Sequence, residues 1–579
     1  MKKKLLLLII IVVYITTIAF IYYRKKNTRI VSPNIGKVYN DEWLYKQEDE
    51  EDGIASFGSF NSGATSMDSS AALFNSSSMS KNTLGYSTGG AKNVENFREN
   101  IKDGYFPIST DITYNGLFYD YSFDTGNAKG ESDELFYPSY STAISNDIIS
   151  GEKEYYMSVG LNSNIKESDF ARKKLNLVIV LDNSGSMGSS FNSYYYDGDY
   201  DYEKEYKTKM EIANNSVNIL LDQLNQDDRF GMVVFNSEGY IAKYLNKLEN
   251  TDIASLKSNI SDITATGGTN FEDAYEKAND IFEELGDNNS EYENRIIVIT
   301  DAMPNMGDTS SNSLVNMVEK NSKNGIYTSF IGVGVDFNTE LIEKLGTITG
   351  ANYYAVHDEK EFEKQMGEDF DFMVTPLVFD LNLDFGSDDY ELEEVYGTDS
   401  KEKNKENIMH VNTLFPSRSN ENGEVKGGII LLKLKKKNDS EDGKITLRVS
   451  YKDPNKDMHK NEQEVEFINS DEEYYDNTGI RKAIVLTRYA NMIKNWILYE
   501  RSEDDRFIIN YKTGIMDIDY TEEQLYRILG EHERTSVKLS VGEEYKELFE
   551  KMRDYIKEEI NELKDKTLEQ EINILDQLI

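Results

Sequence analysis

A carboxylate and two hydroxyls recur at alternate positions in Asp182-Asn183-Ser184-Gly185-Ser186, directly after the apolar run LNLVIVL at 175–181. A second carboxylate, Asp301, directly follows RIIVIT at 295–300, and a further hydroxyl, Thr269, follows the glycine pair in Thr266-Gly267-Gly268-Thr269-Asn270. Three separate segments thus supply two carboxylates and three hydroxyls. An all-oxygen donor set of this kind suits a hard divalent cation, magnesium first, with calcium or manganese as alternatives. The mix of donors matters more than their number. With the neutral hydroxyls of Ser184, Ser186 and Thr269 in direct contact, and Asp182 and Asp301 acting largely through bound water, the charge of the ion would be only partly compensated. Such an ion would seek an external carboxylate.

Other chemistries find little support in the residue types. The chain has no cysteine, which excludes a disulfide scaffold, a thiolate metal site and a cysteine nucleophile. Its four histidines, His357, His410, His459 and His532, lie far apart without ligand-like spacing, which argues against a histidine zinc centre. The strings H-E-x-x-H and G-x-S-x-G are missing and Ser184 has no evident base, so no enzyme is expected and a metal-assisted hydrolase ranks far below binding. With 63 Lys+Arg against 104 Asp+Glu the net charge is −41, and an acidic surface repels phosphate backbones. Nucleic acid is not an expected partner.

The elements that must hold these donors are legible as short apolar runs alternating with amphipathic stretches. LNLVIVL (175–181), RFGMVVF (229–235), RIIVIT (295–300) and YTSFIGVGV (327–335) suit strands buried on both faces. Between them, 206–224, 270–285, 310–323 and 338–346 carry apolar residues at helical spacing, as in Met210, Ala213, Val217, Leu220, Leu221 and Leu224. Strand-helix alternation predicts an α/β fold, a doubly wound and mostly parallel sheet with helices on both faces. In such sheets the ligand crevice lies beyond the carboxyl ends of the strands, where the strand order reverses.

The donor pattern resembles the von Willebrand factor type A domain, whose metal-ion-dependent adhesion site uses D-x-S-x-S, a downstream threonine and a further aspartate. The resemblance spans residues 173 to about 370 and is similar in layout to bacterial membrane-anchored members of the family. It implies that Asp182, Ser184, Ser186, Thr269 and Asp301 hold the ion, and that a protein partner offers an Asp or Glu carboxylate to it. The chain departs from the family in three places. Ala302 follows Asp301 where glycine is common, and Ser189 and Ser190 stand where integrin beta relatives place additional acidic residues. Between the first strand and its helix lies the insertion FNSYYYDGDYDYEKEY (191–206), expected to overhang the ion edge and to touch the partner through Tyr194, Tyr195, Tyr196 and Asp199. Asp197, Asp199, Asp201 and Glu203 alternate as in a calcium loop, without the glycine and spacing of an EF-hand.

The length of 579 residues predicts two to four domains. Residues 5–23 form an uncharged run of 19 residues that as a helix would extend roughly 28 Å, so residues 1–26 are expected to anchor the chain in a membrane. The expected order continues with a flexible Gly/Ser/Asn-rich linker (27–100), a β-rich segment (101–172), the α/β domain (173–372), a second β-rich segment (373–470) and a helical region (471–579). The two β segments predict either one sandwich split by the α/β domain or two separate modules. The combined expectation is a single-pass membrane protein, its bulk outside the cell, that uses a metal for protein interaction or adhesion. An envelope assembly or scaffold factor using the same site is the alternative.

Overall fold

Leu175, Leu177, Ile179 and Leu181 pack into one apolar layer while Val178 and Val180, between them, pack into another, so this strand is buried on both faces. The computed structural model describes residues 41–47, 83–126, 134–190, 207–286, 291–301, 310–334, 346–356, 359–398, 408–437, 442–468, 470–503 and 538–579, together with 344, 509–510 and 515–516. The chain divides into two compact units, Met1–Asp41 and Glu42–Ile579, and apart from Asp41 the described residues belong to the second.

The α/β part is a seven-stranded sheet of β1 (Gly90–Ala91), β2 (Lys174–Asp182), β3 (Arg229–Phe235), β4 (Gly239–Lys247), β5 (Tyr292–Thr300), β6 (Ile326–Val333) and β7 (Asn352–Val356). Its order is β1-β7-β6-β5-β2-β3-β4, and every pairing is parallel except β3 with β4. Helix α1 (Lys209–Leu221) lays Met210, Ala213, Val217 and Leu220 on one face, and helix α2 (Phe271–Leu285) lays Ala274, Ala278 and Ile281 on the other. The fold class is therefore α/β, doubly wound and mostly parallel. After β2 the chain builds outward through β3, and later returns to the opposite side of β2 through β5. The switch point thus lies between the carboxyl ends of β2 and β5, where Asp182 and Asp301 stand. The expected helix at 338–346 lies mostly outside the described residues.

Strands from both sides of this domain interleave in one ten-stranded sheet. Lys153–Lys166 pairs with Ile429–Lys436, and Thr83–Thr88 pairs with both Ile408–Ser417 and Lys153–Lys166. The end strands come together, with the Tyr390 and Phe467 rings 5.0 Å apart, so the sheet folds over its own core. Of the two β arrangements predicted, the pairing is that of a single module interrupted by the α/β domain. The root of the insertion is clasped. Arg172 Nε donates to Asp371 Oδ1 at 2.6 Å and its Nη2 to Asp228 Oδ2 at 2.6 Å, while the Phe170 and Phe372 rings stack 5.1 Å apart.

Two expectations require correction. The linker expected over 27–100 gives way to folded chain at Thr83–Thr88 and the helix Glu95–Lys102, with Leu84, Tyr86, Phe97 and Ile101 buried. The small residues there serve close packing: a Cβ on Gly85 would collide with the Val425 side chain and the Leu161 carbonyl. The single-pass membrane localisation is also overturned. Among the described residues no helix is long and apolar enough to cross a membrane, and the run 5–23 lies outside them. The longest described helix, Thr478–Glu503, buries Ile480, Ile484, Ile493 and Trp496 in protein, while Arg481 and Arg488 pair with Glu559 and Glu154. Two further helices, Glu543–Leu563 and Glu569–Leu578, share that core, and the fully buried Glu571 meets Arg98 of the helix Glu95–Lys102.

Candidate metal centre

Asp182 ends β2 opposite Phe235 of β3, and the chain then turns sharply because its backbone groups are claimed by neighbours. Asn183 N–H donates to the Phe235 carbonyl at 2.8 Å, and Gly185 N–H to the Gly267 carbonyl at 3.0 Å. A short 3-10 turn over Gly185–Gly188 follows, fixed by Met187 in the core and by Ser189 Oγ donating to the Ser186 carbonyl at 2.7 Å. Both carboxylate oxygens of Asp182 have donors within the protein. Oδ1 accepts the Ser184 N–H at 2.7 Å, and Oδ2 accepts the Thr300 hydroxyl at 2.5 Å.

The side-chain oxygens of Ser184, Ser186 and Asp301 form a continuous chain. Ser184 Oγ and Ser186 Oγ lie 3.1 Å apart, and Ser186 Oγ donates to Asp301 Oδ1 at 2.8 Å. Magnesium binds oxygen at about 2.0–2.1 Å in near-octahedral geometry, which sets neighbouring ligand oxygens about 2.9 Å apart. The Ser184–Ser186 separation suits such an edge, Asp301 backs it through Ser186, and the donors are hard oxygens, so these residues fit a small divalent cation. Among the described residues no group of three or more His, Cys, Asp or Glu converges as an alternative.

Among the described residues, Thr269 is not hydrogen-bonded to this cluster; the loop that carries it is tied to the motif through Thr264 and Thr266. Thr266 N–H donates to the Asn183 carbonyl at 2.7 Å, and Asn183 Nδ2 donates to the Thr264 carbonyl at 3.1 Å. Gly267 has φ +74°, a left-handed backbone that favours glycine, and Gly268 N–H donates to Ser237 Oγ at 2.9 Å. Asn270 then caps α2 by accepting the Asp273 N–H, which leaves Thr269 exposed at the rim. Asp182, Ser184 and Asp301 are buried, whereas Ser186 is half-buried and Gly188, Gly267 and Gly268 are exposed. The centre therefore opens to solvent between its two loops.

Burial, and secondly the nearby Asp301, pushes the Asp182 carboxyl up to about 7. Asp301 has a cationic neighbour, Lys209, whose Nζ donates to Oδ2 at 3.0 Å, both side chains being fully buried. Neither Lys209 nor Thr300 figured among the predicted site residues. A signal for Lys209 exists in the sequence: it stands four and eight residues before Ala213 and Val217, on the apolar stripe of α1, where a lysine needs a buried anion. Thr208 begins that helix with a reciprocal capping box to Glu211, and Lys209 N–H donates to the Ser189 carbonyl at 3.0 Å, which fixes α1 against the motif loop.

The expected partner contacts Tyr194, Tyr195, Tyr196 and Asp199 lie outside the described residues, as do Asp197, Asp201, Glu203 and Ala302. The two ends of that insertion are described. Ser190 bridges Thr208, so the insertion leaves and rejoins the fold beside the amino end of α1.

Residues 176–368 match the family described as von Willebrand factor type A domain. Inter-alpha-trypsin inhibitor heavy chain H4 of Homo sapiens is 25% identical over 217 residues, which is 37% of this chain and 21% of that protein. Heavy chain H2 of Mus musculus is 24% identical over 216 residues, 36% of this chain and 21% of that protein, so the match spans about a fifth of the length of these relatives. Among solved structures, a von Willebrand factor type A protein from Catenulispora acidiphila aligns with 71% of this chain and 99% of its own, at 13% identity and a TM-score of 0.38. The mussel byssus proximal thread matrix protein 1, in a form with a zinc-occupied MIDAS motif, aligns with 34% of this chain and 45% of its own, at 18% identity and a TM-score of 0.27.

Proposed function

We propose that this chain, which carries a von Willebrand factor type A domain over residues 176–368, uses that domain to bind a divalent cation and, through it, a carboxylate of a protein partner. Magnesium is the first candidate ion, with calcium or manganese as alternatives. The observation that carries this reading is the convergence of Asp182, Ser184, Ser186 and Asp301 at the switch point, with oxygens 2.8 and 3.1 Å apart and Ser186 open to solvent. Ser184 and Ser186 would hold the ion directly, while Asp182 and Asp301 balance charge from behind; Thr269, exposed on the facing loop, would have to turn inward to join them. When bound, the ion supplies a positively charged coordination position for an incoming carboxylate oxygen.

The side chains are organised in advance for this task. Ser184 N–H and the Thr300 hydroxyl fix Asp182, and Lys209 fixes Asp301, so little reorganisation is needed on binding. Ser184 Oγ meets the Ser186 hydroxyl, and among the described residues no histidine bonds to either serine, which supports binding rather than acyl transfer. The test is calorimetric titration of the full chain with magnesium, followed by capture of acidic partners in magnesium or in EDTA. The reading expects one ion site, lost in Asp182→Ala, and partner release by EDTA. Partner capture that ignores the chelator would remove the metal bridge.

A further inference from the structure

Lys209 opens α1, yet its side chain is fully buried, with Nζ 3.0 Å from Asp301 Oδ2. Lysine seldom gives up solvent without a buried anion in return, because its ammonium is strongly hydrated. The other oxygen of Asp301 faces Ser186, inside the candidate centre. One carboxylate is therefore shared between a fixed ammonium and the cluster expected to hold the ion.

The charge arithmetic is simple. With both carboxylates ionised, as a bound divalent ion favours, Asp182 and Asp301 bring two negative charges and Lys209 returns one positive, so the three side chains sum to −2 + 1 = −1. A divalent ion then brings the total to −1 + 2 = +1. Without the lysine the same ion would be neutralised by the two aspartates, and a partner carboxylate would add an uncompensated negative charge.

We propose that Lys209 is a positioning residue that sets the charge of this centre, so that ion and partner carboxylate bind as a mutually reinforcing pair instead of the ion alone. The inference rests on the metal-bridge reading and adds its regulation: affinity for the ion depends on whether a carboxylate is present, and by linkage the reverse. Ser184 and Ser186 are neutral donors and cannot supply this dependence. Among the described residues it comes from the Lys209 ammonium held against Asp301.

The experiment is titration of the full-length chain with manganese chloride, followed by calorimetry, with excess sodium acetate as the probe carboxylate and sodium chloride at equal ionic strength as its control. Lys209→Met is expected to bind the ion about tenfold more tightly than the parent, because a cation a few ångströms from the ion has been removed. Acetate is expected to tighten ion binding several-fold in the parent and by less than about twofold in Lys209→Met. Lys209→Arg keeps the charge and should behave as the parent. Lys209→Gln, which keeps a donor toward Asp301 without charge, should follow the methionine variant and replaces it if that variant does not fold.

Ion affinity unchanged or weakened in a folded Lys209→Met or Lys209→Gln overturns this inference and leaves the metal bridge standing. Ion binding missing from parent and variants alike removes both. Ion binding by the neutral variants alone would uphold the charge role of Lys209 and remove the metal bridge from the native chain.

Discussion

Ser186 Oγ lies 2.8 Å from Asp301 Oδ1 although 115 residues separate them in the chain. That contact joins the carboxyl ends of two adjacent parallel strands and is the link on which the candidate centre depends. Ser186→Ala should cost about 1.5–3 kcal/mol of stability, since it removes a hydrogen bond to a charged group. It should also weaken the response to magnesium. An ion at 100 times its dissociation constant stabilises a protein by about 2.7 kcal/mol, and Ser186→Ala should gain less than half of that at the same magnesium concentration. Urea melts with and without magnesium measure both effects, and equal gains in the two proteins would count against a role for Ser186 in ion binding.

Asp301→Ala removes the buried carboxylate that faces the Lys209 ammonium. Breaking a buried pair from one side typically costs about 3–5 kcal/mol. The double variant Lys209→Met with Asp301→Leu should recover most of that loss, because no unpaired charge remains. A loss below about 1 kcal/mol in Asp301→Ala, the range of exposed pairs, would show that solvent reaches Lys209.

Glu154 should contribute to acid sensitivity. Burial raises its carboxyl, but hydrogen bonds from Lys433, Arg488 and Tyr156 outweigh burial and hold it below the ordinary value near 4.5. The unfolded chain then binds more protons than the folded one in this range, so the contribution is present above about pH 4.5 and is lost as pH falls through the lowered folded value. Glu154→Gln should start from a lower plateau and flatten the fall in stability below about pH 4.5. A profile parallel to that of the parent would mean that Glu154 titrates alike in both states.

Gly85→Val should destabilise by about 1–3 kcal/mol, because the added side chain must displace Val425 and the Leu161 carbonyl in a packed sheet. A neutral outcome would mean that Thr83–Thr88 does not sit between its two partner strands.

The α/β sheet was legible because its central strands are buried on both faces and so read as unbroken apolar runs, as at 175–181 and 295–300. The antiparallel edge Gly239–Lys247 was not, since GYIAKYLNK mixes lysine and asparagine with its apolar residues, and Lys243 is nevertheless buried. Composition misled at 83–100, where glycine and serine suggested a tether. Gly85 and Ser87 there belong to a strand paired on both sides; the close approach of Val425 requires the glycine, and the Ser87 hydroxyl accepts from Lys92. Within the centre, Asp182, Ser184, Ser186 and Asp301, which the fold brings together, stand at legible spacings, whereas Thr269 stays exposed on the facing loop. Lys209 could not be read from spacing, because a charged residue in the first turn of a helix usually faces water, and only its place on the apolar stripe of α1 betrays it.

The clasp of Arg172 with Asp371, and of Phe170 on Phe372, brings together the points where the chain departs for the α/β domain and returns from it. The two crossings of the chain are therefore held side by side. A splice across the two stacked rings would still leave Gly90–Ala91, contributed from the amino-terminal side, as the edge strand of the parallel sheet, so the ion crevice stays wedded to the module from which it branches.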